Sequence, residues 1–520
     1  MPTATDLLTP LRQYWGYDSF RPLQERIVRS LLERHDTCVV MPTGGGKSLC
    51  YQLPALALGQ TAIVVSPLIS LMQDQSAQLA QMGIPAALLN STLSSDEQSS
   101  VMTKARRGEF RLLYLSPERL AQPATISWLK NVPVSFFAID EAHCISEWGH
   151  EFRPDYRQLS ALRTHFPDCP IAAFTASATQ RVRHDILHQL QMRQPHKYIA
   201  SFHRANLQYM VKQCEPGTQM EMLLRALRRH AQSSVIVYAP TIARVEELTT
   251  SLGQQRIKAL AYHGKMDARE RRANQERWMS DEVRVLVGTI AFGLGINKAT
   301  VRAVIHLSLP RSIEQYYQES GRAGRDGEKA ECILLWQKRD AGLLAHFNQQ
   351  INDAAERDRA WQRYYNIRDF AESSVCRHLQ ICEHFGEKPK WKSCGVCDVC
   401  APTPGWLSAP AAKRSKGKVQ EPAFADAASI RPSEIEEALD PELHEYLREW
   451  RRRIAKERGV AAFVVLHDTS LQEICRRQPS SLVEIRQIHG FGERKTETYG
   501  QSVLDALAQF RSGARVSIAQ

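Results

Sequence analysis

From Thr37 to about Trp336, short runs of β-branched and other apolar residues alternate with longer amphipathic stretches. One series holds Cys38–Met41, Ala62–Ser66, Leu112–Leu115, Phe136–Ile139 and Ile171–Phe174. A second holds Val235–Tyr238, Ala259–Tyr262, Val283–Val287, Ala303–His306 and Cys332–Trp336. Unbroken apolar strands separated by helical periodicity predict parallel sheets covered by helices on both faces. The pattern breaks near residues 200–220, so the expectation is an α/β fold with two tandem domains, 1–205 and 206–336.

Residues 337–400 read as a helical module rich in arginine and aromatics. Pro402, Pro404, Pro410, Pro422 and Pro432 then stand among Ala, Ser and Lys, a composition that buries too little apolar surface to fold. We therefore expect a flexible, solvated linker over 401–434, with Lys413, Arg414, Lys416 and Lys418 as its basic patch. Leu443, Leu447, Trp450 and Ile454 share one helical face beside Arg451–Arg453, which predicts a small all-α domain over 435–513 and a tail over 514–520.

A chain of 520 residues exceeds a single core, in agreement with several domains. No apolar run reaches the roughly 18 residues of a membrane span, and Met1–Tyr17 carries Asp6 and Arg12 without a continuous apolar stretch. We expect a cytoplasmic protein with no membrane partner. The net charge of +11 favours polyanions. Of twelve cysteines, five fall between Cys376 and Cys400, more as metal ligands than as disulfides in a long intracellular chain.

Met41, Pro42, Thr43, Gly44, Gly45, Gly46, Lys47 and Ser48 follow an apolar strand and precede a helical pattern, as a phosphate-binding loop requires. Its glycines let main-chain N–H groups curl around phosphates; Lys47 is expected on the β and γ phosphates and Ser48 on Mg²⁺. Met41 stands where the general pattern has glycine. Asp140 and Glu141 follow the strand ending at Ile139, placing two carboxylates at a carboxyl edge where open α/β sheets bind ligands. Asp140 is the expected Mg²⁺ ligand and Glu141 the base for the attacking water. Arg322 and Arg325, three residues apart and read as sharing roughly one helical face, are candidates to clamp a γ-phosphate from the second domain.

Cys394, Cys397 and Cys400 stand at the spacing of thiolate ligands, and either Cys376 or Cys382 completes a closed Cys₄ zinc site by spacing.

In these motifs the chain resembles RecQ helicases of superfamily 2, over Leu11–Cys400 and again over Ile435–Phe510. The resemblance implies RecA-like domains, ATP as substrate, and an adenine-reading motif in Tyr17, Arg21 and Gln24. Ser66–Gln75, Phe174–Thr179 and Gly288–Lys298 stand where strand-tracking and coupling motifs belong. Cys144–Tyr156 is similar to the family's aromatic-rich loop, which implies that Trp148, His150, Phe152 and Arg153 meet single-stranded DNA and report it to the ATP site. The motif around Cys376 implies Cys376, not Cys382, as the fourth zinc ligand. Ile435–Phe510 resembles an HRDC domain, implying contacts to nucleic acid or protein, with Gly490–Lys495 as its most recognisable turn. Arg494, Lys495 and that turn's N–H groups are candidates for a phosphate contact.

The expected function is ATP-dependent, 3′-to-5′ unwinding of forked or tailed duplex DNA from a single strand, in repair and recombination, near the nucleoid of a bacterium. One departure is plain: the stretch 401–434 leaves no room for the winged helix of about a hundred residues usual in the family. That motivates an alternative, a DNA-stimulated translocase or annealing factor with little strand separation. A non-catalytic scaffold is disfavoured because Lys47, Asp140, Glu141 and Arg325 are all present, and an RNA helicase because Cys144–Tyr156 follows the RecQ pattern.

Overall fold

The computed structural model describes residues 6–90, 93–149, 151–215, 217–289, 298–402, 404–408, 440–458 and 462–513. Its first lobe is a parallel sheet of β1 (Thr37–Val40), β2 (Thr61–Val65), β3 (Ala86–Leu89), β4 (Leu112–Leu115), β5 (Val134–Ile139), β6 (Ile171–Thr175) and β7 (His196–Ile199). The order across it is β3-β4-β2-β5-β6-β1-β7. Neighbouring residues of a strand enter opposite faces: Val39 and Phe136 join one apolar cluster, Val40 and Phe137 another. This double burial is why the central strands are uninterrupted apolar runs.

The second lobe holds β8 (Leu207–Gln213), β9 (Ser234–Tyr238), β10 (Ala259–Tyr262), β11 (Val285–Gly288), β12 (Val301–His306) and β13 (Ala330–Trp336), ordered β10-β11-β9-β12-β13-β8. One buried cluster runs from Ile139 of the first lobe through Phe202 and Tyr317 to Phe385 beyond the second, so the two lobes are packed together.

Helices Asp340–Gln349, Ala354–Glu372 and Arg377–His384 follow. The linker expected from residue 401 begins instead with an ordered turn: Leu407, in the short helix Gly405–Ser408, is buried against the second lobe, and Arg225 Nη1 donates to the Trp406 carbonyl at 3.2 Å. An apolar residue and a tryptophan among the prolines suffice to dock it. The rest of that stretch, 409–434, lies outside the described residues. The last module closes helices Pro441–Glu457, Asp468–Arg477 and Gln501–Arg511 around Leu443, Leu447 and Trp450. Among the described residues no helix is long and apolar enough to cross a membrane.

Candidate nucleotide and nucleic-acid site

β1 and β5 flank β6, so the loop after β1 and the carboxylates after β5 emerge side by side. Gly44 and Gly46 take φ of 84° and 82°, which the loop's reversal into the helix Lys47–Leu58 requires. Lys47 Nζ donates to the Met41 carbonyl at 3.2 Å. Burial lowers its pKa, and the carboxylates of Glu141 and Asp140 oppose that.

Asp140 is buried, and burial followed by the neighbouring Glu141 charge pushes its carboxyl up to about 7. In the first turn of the helix after the neighbouring loop, the Ser48 hydroxyl accepts from Gln75 Nε2 at 3.2 Å. Gln75 in turn accepts from the Tyr51 hydroxyl at 2.8 Å. A buried carboxylate that resists ionising, next to a second carboxylate and with a serine hydroxyl at the end of the adjacent loop, is a donor set suited to a hard divalent cation.

Glu141 sits in the left-handed region at φ 46°, a strained backbone for a side chain of its size. His143 Nδ1 lies 3.3 Å from Glu141 Oε2 and 3.0 Å from Thr175 Oγ1. Its Nε2 lies 3.8 Å from Glu151 Oε2. Burial lowers its pKa, but Cys144, Glu141 and Glu151 outweigh that and raise it well above the usual histidine range.

The second lobe supplies Arg322 and Arg325. They do not share a helical face as expected: the helix Ile313–Ser320 ends before them, and Gly324 and Gly327, at φ 53° and 90°, turn the chain. The turn carries Arg325 onto the loop, where a Cβ on Gly44 would lie 3.2 Å from Arg325 Cγ. Burial, then the charges of Arg322 and Arg204, lower Arg325 to about 9, and Glu141 opposes them. Gln318 Nε2 donates to Ser177 Oγ at 2.8 Å across the same cleft. Gln75 and Ser177 lie in the stretches Ser66–Gln75 and Phe174–Thr179 marked in the sequence but were not singled out there, and Gln318 precedes the arginine pair by four residues.

Of the expected adenine-reading residues, Arg21 Nη1 donates to the Gly44 carbonyl at 2.6 Å. Gln24 accepts from Arg21 N at 2.8 Å and donates to the Gly46 carbonyl at 3.3 Å. Tyr17 lies beside them, stacked on His489.

In the aromatic-rich loop, Trp148 is 38% exposed. The Arg181 guanidinium lies over its ring at 3.0 Å and that of Arg359, from the following module, at 5.2 Å. Phe152 is half-buried under Arg157, and Arg153 Nη1 donates to the Pro67 carbonyl at 3.2 Å. His150 and residues 290–297 of the Gly288–Lys298 motif lie outside the described residues.

The sulfurs of Cys376, Cys394, Cys397 and Cys400 all lie within 4.8 Å of one another, which fits tetrahedral thiolate coordination. Cys382 stands outside this set; its thiol is raised by burial and then by Glu387. Asp398, inside the cysteine turn, pairs with Arg377 at 3.0 Å. Asp398 also bonds the second sheet: its N–H donates to the Tyr209 carbonyl at 3.0 Å, and its carboxylate accepts from Val211 N at 3.1 Å.

Family models match in the same order: DEAD/DEAH box helicase over 21–186, helicase conserved C-terminal domain over 218–327, RecQ zinc-binding over 338–401 and HRDC domain over 440–507. An "ATP-dependent DNA helicase RecQ" of Haemophilus influenzae is 34% identical over 603 aligned positions, covering 98% of this chain and 96% of the relative. That alignment is longer than the 520 residues of the chain, so the relative carries sequence that this chain lacks. The same-named protein of Pasteurella multocida is 43% identical over 405 residues, 78% of this chain and 63% of the relative. The Mycobacterium smegmatis helicase Lhr, solved with ssDNA and AMP-PNP, shares the fold at TM-score 0.52 and 17% identity, over 72% of this chain and 58% of that one.

Proposed function

The chain belongs to the RecQ family of DNA helicases, and we propose that it is an ATP-dependent DNA helicase whose hydrolytic site closes between its two lobes. The observation that carries this reading is Arg325 of the second lobe against Gly44 of the phosphate-binding loop, within charge reach of Glu141.

Phosphoryl transfer depends on positioning and charge neutralisation. The Met41–Ser48 loop cradles the triphosphate, Lys47 meets its outer phosphates, and Arg322 and Arg325 close over the γ-phosphate from the other lobe. Glu141 orients the attacking water and takes its proton. Ser48 and Asp140 hold Mg²⁺, which supplies charge neutralisation on the phosphates when bound. Tyr17, Arg21 and Gln24 read the adenine. Because the arginines belong to the other lobe, hydrolysis requires closure and release of products permits opening.

Single-stranded DNA crosses the motor past Trp148, Phe152 and Arg153, and movement is 3′ to 5′ along it. The functional units are 1–205, 206–336, the zinc module 337–400 and the HRDC module from 435. Four thiolates leave no open position, so the zinc is structural. The duplex substrate is forked or tailed, the setting is repair and recombination, and the compartment is the cytoplasm. ATP-dependent displacement of 3′-tailed, 5′-tailed and blunt duplexes tests this, with Lys47→Ala as control. Unwinding of the 3′-tailed duplex alone supports it. Strong DNA-stimulated ATPase without displacement supports the second reading, a translocase, which rests on the family-match boundaries: 401 to 440 is too short for a winged helix.

A further inference from the structure

The HRDC module rests on both lobes of the motor. On the second lobe, Arg448 Nη2 donates to the Ser280 carbonyl at 3.1 Å and pairs with Asp281 at 3.2 Å. Asp468 accepts from Thr300 Oγ1 at 3.2 Å. On the first, the Tyr499 hydroxyl donates to Gln81 Oε1 at 2.7 Å and Gln13 Nε2 to Glu493 Oε2 at 2.9 Å.

The turn Gly490–Lys495 is the closest contact. A glycine on each side allows the approach: a Cβ on Gly16 would lie 2.7 Å from the Phe491 main chain, and one on Gly492 would lie 2.7 Å from the Tyr14 carbonyl. A side chain at either position would push the turn away. Their absence lets the turn set His489 flat on Tyr17, ring centroids 4.4 Å apart and planes at 16°. Burial lowers the His489 pKa, Glu473 opposes it and Arg21 adds to it, which favours the neutral imidazole for stacking.

We infer that the HRDC module forms a third wall of the nucleotide site, with His489 a positioning residue that fixes the Tyr17 ring for the adenine. This deepens the proposed function and rests on the reading of Tyr17 as an adenine contact. A tyrosine ring held on one face presents the other in a single orientation, so the base meets a platform already ordered.

The test is steady-state ATPase of the full chain with saturating single-stranded DNA, for His489→Ala, His489→Phe and Tyr17→Ala. Inorganic tripolyphosphate, which has no base, serves as competitive inhibitor. In His489→Ala, KM for ATP is expected to rise about three- to tenfold at unchanged kcat, with the tripolyphosphate inhibition constant unmoved. His489→Phe restores KM. If Tyr17→Ala raises KM but His489→Ala leaves it unchanged or lowers it, the inference is wrong. It is equally overturned if the tripolyphosphate constant rises in parallel with KM, because the effect is then structural. Should Tyr17→Ala leave KM unmoved, the adenine reading itself fails.

Discussion

The Tyr156 hydroxyl donates to the main-chain carbonyl of Asp140 across 3.0 Å, both groups buried, so the far end of the aromatic-rich loop is tied to the strand end that carries the carboxylates proposed for catalysis. A shift of the loop would therefore pull directly on that strand end. Tyr156→Phe leaves that carbonyl short of a partner at a cost of about 1–3 kcal/mol. Its ATPase should respond less to single-stranded DNA while basal turnover stays close to the parent. Thermal denaturation and ATPase titrated with DNA check both.

Arg325→Ala is expected to lower kcat by about 10³–10⁵ with a small change in KM, as for a group that acts on the transferring phosphoryl. Arg325→Lys should restore little, because an ammonium lacks the planar fork. Single-turnover hydrolysis separates this from slow product release.

Glu141→Gln should still bind ATP and fail to turn it over, seen as retained nucleotide affinity in titration with no phosphate release. Normal hydrolysis by this variant would remove Glu141 from the role of base.

Asp140 gives a pH signature. Its folded pKa of about 7 lies above its ordinary 3.8, so its contribution to stability is complete below about 4 and is lost as pH rises through 7. In chelator without nucleotide, Tm should fall between pH 5 and 8, and Asp140→Asn should flatten that slope. Mg²⁺ with a nonhydrolysable ATP analogue should restore the parent's Tm at pH 8 and do less for the variant.

Zinc content discriminates the cysteines. Cys382→Ser should retain one zinc per chain by elemental analysis, whereas Cys397→Ser should lose it, together with folding energy on the order of 10 kcal/mol local to the module.

Much of this was legible in the sequence because the central strands are buried on both faces. The strands it missed, β3, β7 and β8, are all at sheet margins. In β7 and β8, His196 and Lys197, or Gln208 and Lys212, interrupt the apolar run, because one side of the strand meets solvent or a loop, while β3 is a bare Ala-Ala-Leu-Leu with no β-branched residue to mark it. The loops after β1 and β5 carry their chemistry in residue type and spacing, and the structure places them side by side. The arginine pair was found but its geometry was not, since Gly324 and Gly327 break the helical spacing. Contacts of the last module on the motor had no sequence signal. Gly16 facing Phe491, or Arg448 reaching Ser280, joins residues far apart in the chain with no periodicity to announce it. Arg451 stands in the sequence only as a charge beside the apolar face of its helix, yet it is buried and pairs with Asp468 at 2.7 Å.

The bonds from Asp398 to Tyr209 and Val211 fall on the outer margin of β8, the last strand of the second sheet. Main-chain groups there are a template for any other extended chain, and the cysteine turn covers them. A zinc ion held by those four thiolates would keep the turn seated over this margin. Stripped of zinc, the protein should expose that strand to its own copies and associate at concentrations where the loaded protein stays dispersed, even while the nucleotide cleft keeps its form.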